Sequence, residues 1–219
     1  MIKNLNSNEN KYKSYLLVAV MCLITFSTLA ILVETGNASV IDDSIRNFIY
    51  NLRSPWLTVV MKVITYMGNW QTITVVCIIL LIIKKTRVRY GVPLAIGSLF
   101  VSLSNKGVKA IMLRPRPDDI EFLIEQDGWS FPSGHSITSI FFFGMAIWLV
   151  RRNVESSAIA NVLTAVLAIP MIFIGISRVY LGVHYPTDVI AGWALGILSI
   201  SIIVIIIEIL EAKKVNKNQ

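Results

Sequence analysis

Long apolar runs joined by short polar stretches dominate this chain. Residues 14–33 form the first run, behind Lys3, Lys11 and Lys13. About 20 apolar residues cross a hydrocarbon core of ~30 Å as a helix. A signal peptide is the competing reading, but the run exceeds a usual apolar core and no clean Ala-x-Ala site follows, so a retained helix is expected. Over residues 40–53 the pattern changes. Ile41, Ile45, Phe48, Ile49 and Leu52 share one helical face, with Asp42, Asp43, Arg46, Asn47 and Arg53 off it. That spacing predicts a short amphipathic helix at the membrane surface. Residues 56–83 are apolar for longer than one straight span needs, and Gly68-Asn69 interrupts them. An interfacial or tilted lead-in over 56–67 and a spanning helix over 69–85 are expected. Further spans are expected over 90–113, 132–150, 157–176 and 186–210. The fold class is therefore all-α: a polytopic membrane bundle of six transmembrane helices plus a short amphipathic interfacial helix. It is expected to form one domain over residues 1–219, with a motif-bearing core at about 56–210.

Composition agrees with the pattern. Of 219 residues, 55% are hydrophobic and 15% charged, where a soluble domain carries about 25% charged residues. Mean hydropathy is +0.68. The net charge of +7 divides into two groups, which removes the case for nucleic acid as a partner. Twelve of the 20 Lys and Arg residues (Lys3, Lys11, Lys13, Lys84, Lys85, Arg87, Arg89, Arg151, Arg152, Lys213, Lys214 and Lys217) fall on one side of a six-helix arrangement. The positive-inside rule makes that side, and both termini, cytoplasmic. Arg46, Arg53, Lys62, Lys106, Lys109, Arg114, Arg116 and Arg178 lie toward the other side; four of them, Lys109, Arg114, Arg116 and Arg178, belong to distinct polar segments, and something other than topology requires them there. Cys22 and Cys77 sit inside apolar runs and read as small buried hydrophobes rather than a disulfide.

Three polar segments stand apart. Lys109 to Pro117 reads Lys-Ala-Ile-Met-Leu-Arg-Pro-Arg-Pro. Lys109 and Arg116 can surround a tetrahedral oxyanion, the guanidinium fork matching two oxygens at once. Arg114 divides evenly between that role and a structural one. Snorkelling at the interface is the bland alternative, but prolines around an arginine stiffen the loop. Phe131-Pro132-Ser133-Gly134-His135 stands where a loop becomes a helix. Free N–H groups there attract phosphate, glycine permits close approach, and the Ser133 hydroxyl adds a donor, unless it only caps the helix. The third segment, residues 177–188, holds Arg178, His184 and Asp188. Pro186 suits a first helical turn, so Asp188 can reach His184, fix its tautomer and sharpen the other nitrogen as nucleophile or base. The chain's only two histidines both lie in these segments, and imidazole is the side chain suited to proton traffic near neutrality. Two histidines and an aspartate could hold zinc, but Lys109, Arg116 and Arg178 would repel a divalent ion and attract an anion. No metal and no cofactor is expected.

Lys109-x6-Arg116-Pro117, then Pro132-Ser133-Gly134-His135, then Ser177-Arg178-x5-His184-x3-Asp188 resembles the three-part signature of the type 2 phosphatidic acid phosphatase family. The resemblance covers about residues 56–210 with no departure at a motif position. It implies an integral membrane lipid phosphatase that removes the terminal phosphate of a lipid phosphate or diphosphate: phosphatidylglycerophosphate, undecaprenyl pyrophosphate or phosphatidic acid. His184 would be the nucleophile forming a phosphohistidine, Asp188 its orienting partner, and His135 the acid for the leaving oxygen. Lys109, Arg116, Ser133, Gly134 and Arg178 would hold the phosphate, without a metal. The expected setting is the bacterial plasma (inner) membrane, with the site on the extracytoplasmic side, membrane lipids around the chain and a lipid phosphate as substrate.

Two other readings compete. A non-catalytic lipid-phosphate binder or transporter would use the cations but has no need of an aspartate-backed histidine. A vanadate-holding peroxidase relative would be expected to carry a large soluble helical domain. The loop at residues 118–129, with Asp118, Asp119, Glu121, Glu125 and Asp127, is expected to line the entrance. Phosphatidylglycerophosphate and undecaprenyl pyrophosphate stand level as substrates, and the oligomeric state is not legible.

Overall fold

The structure, a computed structural model, describes the backbone of residues 2–217 and the side chains of residues 12–213. Lys3, Lys11, Lys214 and Lys217 carry part of the orientation argument, and their side chains lie outside the described residues, as do Met1 and Gln219. Among the described residues there is no strand. The helices are α1 (Ile2–Glu34), α2 (Ser39–Tyr50), α3 (Pro55–Met67), α4 (Trp70–Ile82), the single turn α5 (Lys84–Thr86), α6 (Val92–Met112), α7 (Gly134–Asn153), α8 (Ser157–Tyr180) and α9 (Pro186–Lys217). A π-helical turn, Arg87–Gly91, leads into α6.

Four segments are long and apolar enough to cross a membrane: Tyr12–Glu34, Gly134–Asn153, Ser157–Tyr180 and Pro186–Lys213. The pair α3 and α4, bent by 48°, is a fifth if it forms one broken span. This differs from the expected six in two places. The helix expected over 69–85 is only 13 residues long as α4, a rise of about 20 Å, short of a ~30 Å core unless α3 completes it. At the bend Asn69 is extended (φ −66°, ψ 146°). The freed Tyr66 carbonyl accepts from the Thr72 hydroxyl at 2.8 Å, so the break leaves no orphan acceptor there. The helix expected over 90–113 forms as α6, and its 21 residues give about 31 Å of length. Ser98, Ser102, Ser104, Asn105, Lys106 and Lys109 dilute its hydropathy, and it is not among the apolar candidates.

In lipid the hydrophobic effect does not hold helices together; close contact does. α7 is the hub, packed on α6, α8 and α9. Phe141 and Met145 of α7 are fully enclosed with Ile174 of α8 and Val204 of α9. Gly192 and Gly196 of α9 form a small-residue pair four apart that faces α7. A Cβ on Gly192 would stand 2.8 Å from the Ser133 carbonyl oxygen. One on Gly196 would stand 2.7 Å from Ile140 Cγ2 and 3.0 Å from the Ile137 oxygen. Leu16, Leu17 and Ile24 of α1 and Val162, Val166 and Ile169 of α8 point outward, as lipid-facing residues do.

α2 has the expected amphipathic pattern, with two polar residues, Asp42 and Arg46, turned into the protein while Asp43 and Asn47 stay exposed. Asp42 is 1% exposed and Arg46 6%, whereas Phe48 is 67% exposed. The α6 exit, the α7 start, the α8 exit and the α9 start meet at one end of the bundle. At the other end Arg152 of α7 pairs with Glu208 of α9 at 2.6 Å.

Gly196→Leu is expected to lower the midpoint of thermal unfolding in detergent, because overpacking a tight contact costs about 1–3 kcal/mol. An unchanged midpoint would contradict the glycine-mediated α7–α9 contact.

Candidate active site

α6 ends at Leu113, which caps it in the left-handed region (φ 46°). Such a conformation is costly for a branched side chain and tends to be kept where it places something. Here it throws the next residues back across the α9 N-terminus. The Arg114 Nη1 donates to Asp188 Oδ1 at 2.6 Å and to Thr187 Oγ1 at 2.8 Å. Its Nη2 donates to Asp42 Oδ2 at 2.6 Å. Asp42 also accepts from the Thr187 backbone N–H at 2.9 Å and the Thr187 hydroxyl at 2.9 Å, so a residue of α2 caps α9. Arg114 therefore serves structure, the second of the two roles left open for it.

α8 ends at Tyr180, and Gly182 turns the chain with φ 86°. A Cβ there would meet Arg53 Nη2 at 2.8 Å. The turn delivers His184, 2% exposed, to Asp188, fully buried. His184 Nδ1 lies 3.2 Å from Asp188 Oδ2. That oxygen also accepts from the Ser130 hydroxyl and, at 2.9 Å, from the Tyr185 backbone N–H. Arg116 Nη1 lies 3.2 Å from His184 Nε2. A guanidinium only donates, so Nε2 carries the lone pair and Nδ1 the proton. Burial holds the His184 imidazole well below the ordinary histidine range, with the charges of Arg116, Arg178, Lys109 and Arg114 acting in the same direction. Asp188 favours the protonated ring, but its carboxylate is shared with Arg114 and Ser130, and burial with the cations prevails. The ring is neutral at neutral pH.

The cations converge on this pair. Arg116 donates to the carbonyls of Val183 at 2.6 Å, Gly128 at 2.9 Å and Asp127 at 2.9 Å. Burial lowers its pKa to about 10, so it remains charged near neutrality. Lys109 Nζ donates to the carbonyls of Trp129 and, at 3.1 Å, Ser130. Arg178, 1% exposed, donates to Thr65 Oγ1 at 2.8 Å and to Gln126 Oε1. Its Nε is buried without a partner, a donor free for an anion. The Ser133 hydroxyl accepts from Ser136 Oγ at 2.8 Å and from the Ser136 N–H; here it caps α7, and the backbone N–H groups of the first turn are what it leaves for a ligand. A Cβ on Gly134 would stand 2.8 Å from Asn105 Nδ2, so only glycine fits unless Asn105 shifts. His135 Nε2 donates to Asn69 Oδ1 at 2.7 Å. Arg178, His184, Arg116 and Lys109 all act on it electrostatically.

All eight residues picked from the sequence thus gather at one end of the bundle. Sequence reasoning missed Asp42, Thr187, Ser130 and Asn69. Asp42 carried a signal, an acid in a chain with only 13 Asp and Glu, but its helical pattern reads equally well with the polar face in water.

Residues 86–210 match the family model described as the PAP2 superfamily. Phosphatidylglycerophosphatase B of Bacillus subtilis (strain 168) is 32% identical over 184 residues, covering 82% of this chain and 89% of that protein. An undecaprenyl-diphosphatase of Sulfolobus acidocaldarius is 36% identical over 123 residues, 54% of this chain and 55% of that one. Among solved structures, the transmembrane PAP2-type phosphatidylglycerolphosphate phosphatase of Bacillus subtilis aligns with a TM-score of 0.78 at 28% identity, covering 87% of this chain and 96% of that one.

Two outcomes are expected. With only two histidines in the chain, ¹⁵N-histidine NMR resolves both rings, and His184 should appear as the neutral Nδ1–H tautomer and protonate only well below pH ~6.5. Protonation at or above that value would contradict the burial and cation argument. Asp42→Asn should markedly lower the thermal midpoint, since breaking a buried ion pair costs about 3–5 kcal/mol. A midpoint within a degree of wild type would contradict the role given to Asp42.

Proposed function

The chain belongs to the PAP2 superfamily and is a lipid phosphatase of that family, and from this premise we propose that it removes the terminal phosphate of a lipid phosphate or diphosphate through a phosphohistidine at His184. Phosphatidylglycerophosphate, undecaprenyl pyrophosphate and phosphatidic acid are the candidate substrates. The observation that carries the reading is the placement of His184. One nitrogen faces the Asp188 carboxylate, and the other, bare, nitrogen faces Arg116. A ring built only to bind phosphate gains nothing from a backing carboxylate, which weakens the case for a non-catalytic lipid-phosphate binder or transporter.

The chemistry follows from the contacts. The phosphate enters among Arg116, Lys109 and Arg178, displacing weaker carbonyl acceptors, with the Arg178 Nε and the first N–H groups of α7 as further donors. His184 Nε2 attacks phosphorus, the N–P bond forms and the P–O bond to the lipid breaks. The substrate phosphate arrives with a proton that passes to His135, its negative charge offsetting the neighbouring cations, and the leaving oxygen takes a proton from this imidazolium, which returns to the neutral ring held by Asn69. Asp188 stabilises the positive charge that develops on His184. Water then attacks phosphorus, His135 takes its proton, the N–P bond breaks and inorganic phosphate departs. Phosphoryl transfer depends chiefly on positioning and charge stabilisation, which three fixed cations can supply without a metal.

In this reading the whole chain is one domain in a plasma membrane. α6 makes the sixth crossing, and α2 lies at the interface, with its Phe48, and Leu52 of the turn after it, toward lipid. The basic end is cytoplasmic and the site extracytoplasmic. Two observations favour this arrangement: α6 has spanning length, and its polar residues are what a helix carrying site groups needs.

His184→Ala and His135→Ala should each abolish phosphate release from detergent-solubilised lipid phosphates, and EDTA should leave wild-type activity intact. Activity retained by His184→Ala, or EDTA inhibition reversed by zinc or magnesium, would overturn the mechanism.

A further inference from the structure

A cavity of about 500 Å³ lies beside the reacting centre, on the His135 side. Pockets that hold small molecules run about 300–1,000 Å³. It is lined by His135 and Arg178, by Asn69 and Gln126, and by Lys62 of α3 and Trp70 of α4. Because His135 serves the leaving oxygen, this is where the leaving group must sit; the cavity does not include His184. Trp70, 71% exposed, marks a mouth toward lipid, where aromatic rings favour the interface.

The polar character of this space needs an explanation. A simple fatty alcohol or diacylglycerol leaving group would call for an apolar wall. Instead, beside Leu123 and Ile124, the cavity holds three amides (Asn69, Gln71 and Gln126) and two cations, against one carboxylate, the solvent-exposed Glu125. Lys62 is half-buried on α3 and has no carboxylate within 4.0 Å among the described residues. It is also one of the basic residues that the topology of the chain leaves unexplained. An ionisable residue lining a cavity at the membrane edge is a candidate partner for a ligand anion.

We propose that this cavity is the leaving-group subsite and that Lys62 binds a second anionic group there, so that the preferred substrates are lipids carrying two phosphate groups in succession. This rests on the lipid-phosphatase reading and deepens it. The scissile phosphate is held by Arg116, Lys109 and Arg178, and the phosphate retained by the lipid lies on the His135 side within reach of Lys62. Asn69, already hydrogen-bonded to His135, lies between the two as a specificity contact.

Farnesyl diphosphate and farnesyl monophosphate share a tail and differ only in the second phosphate. Purified full-length protein in detergent is assayed for phosphate release from both, as wild type, Lys62→Gln, Lys62→Met and Lys62→Arg. Lys62→Met keeps an unbranched apolar stem, should Lys62→Gln fail to fold. The ratio of kcat/KM for diphosphate over monophosphate should fall about tenfold in Lys62→Gln and Lys62→Met, the loss expected for one charge-assisted contact. Lys62→Arg should keep most of it. An unchanged ratio in the charge-removing variants, or an equal fall on both substrates, overturns the subsite. Wild-type protein that releases phosphate from neither lipid, nor from phosphatidic acid, overturns the lipid-phosphatase reading and the subsite with it.

Discussion

The arrangement depends on one buried chain of polar contacts: Asp42, Arg114, Asp188 and the neutral ring of His184. Two carboxylates with almost no solvent exposure would be very costly at the edge of a bilayer if left alone. Arg114, stacked 3.9 Å from the Tyr185 ring centroid, lies between them and satisfies both. This joins α2, the exit of α6 and the start of α9, three segments far apart in sequence. It also fixes the direction in which the carboxylate of Asp188 faces His184, and hence which nitrogen of that ring stays bare.

Around that chain the cations set the chemistry. Arg116, Lys109 and Arg178 all lie close enough to His135 to act on it, and like charges so near repel unless something negative joins them. In this structure backbone carbonyls of residues 127–130 and of Val183 partly serve that purpose. A phosphate is a stronger acceptor than a carbonyl, so the same loop that now occupies the donors can give way to it. On the proposed mechanism, the repulsion among three cations in the free protein is relieved when an anion arrives, and the attraction increases as charge develops in the transition state.

Much of this could be read from the chain. The three polar segments stood out because apolar helices leave few reasons for histidine, arginine and aspartate, and their spacing placed them all at helix ends. What could not be read follows from physical limits on pattern arguments. Hydrophobic periodicity tells that α2 is two-faced, not which face meets protein, so Asp42 and Arg46 were invisible as inward groups. Ser130 and Asn69 reach the site through a loop and a helix break, where no periodicity applies. The bend at Gly68-Asn69 was legible as an interruption, but whether the flanking pieces cross separately or as one broken span depends on packing against α8. The hydropathy of α6 is diluted because Ser98, Asn105, Lys106 and Lys109 lie within the helix itself. Gly192 and Gly196 matter only once α7 is known to be their neighbour.

The central claim is that the bare nitrogen of His184 becomes bonded to phosphorus, and a phosphoenzyme trap tests it most directly. Wild-type protein is mixed with a lipid phosphate labelled in its terminal phosphate, quenched in base within the first turnover, digested and mapped by mass spectrometry. The account predicts an acid-labile, base-stable phosphate on residue 184. Phosphate on His135, on a serine, or on no residue at all while turnover proceeds would contradict it.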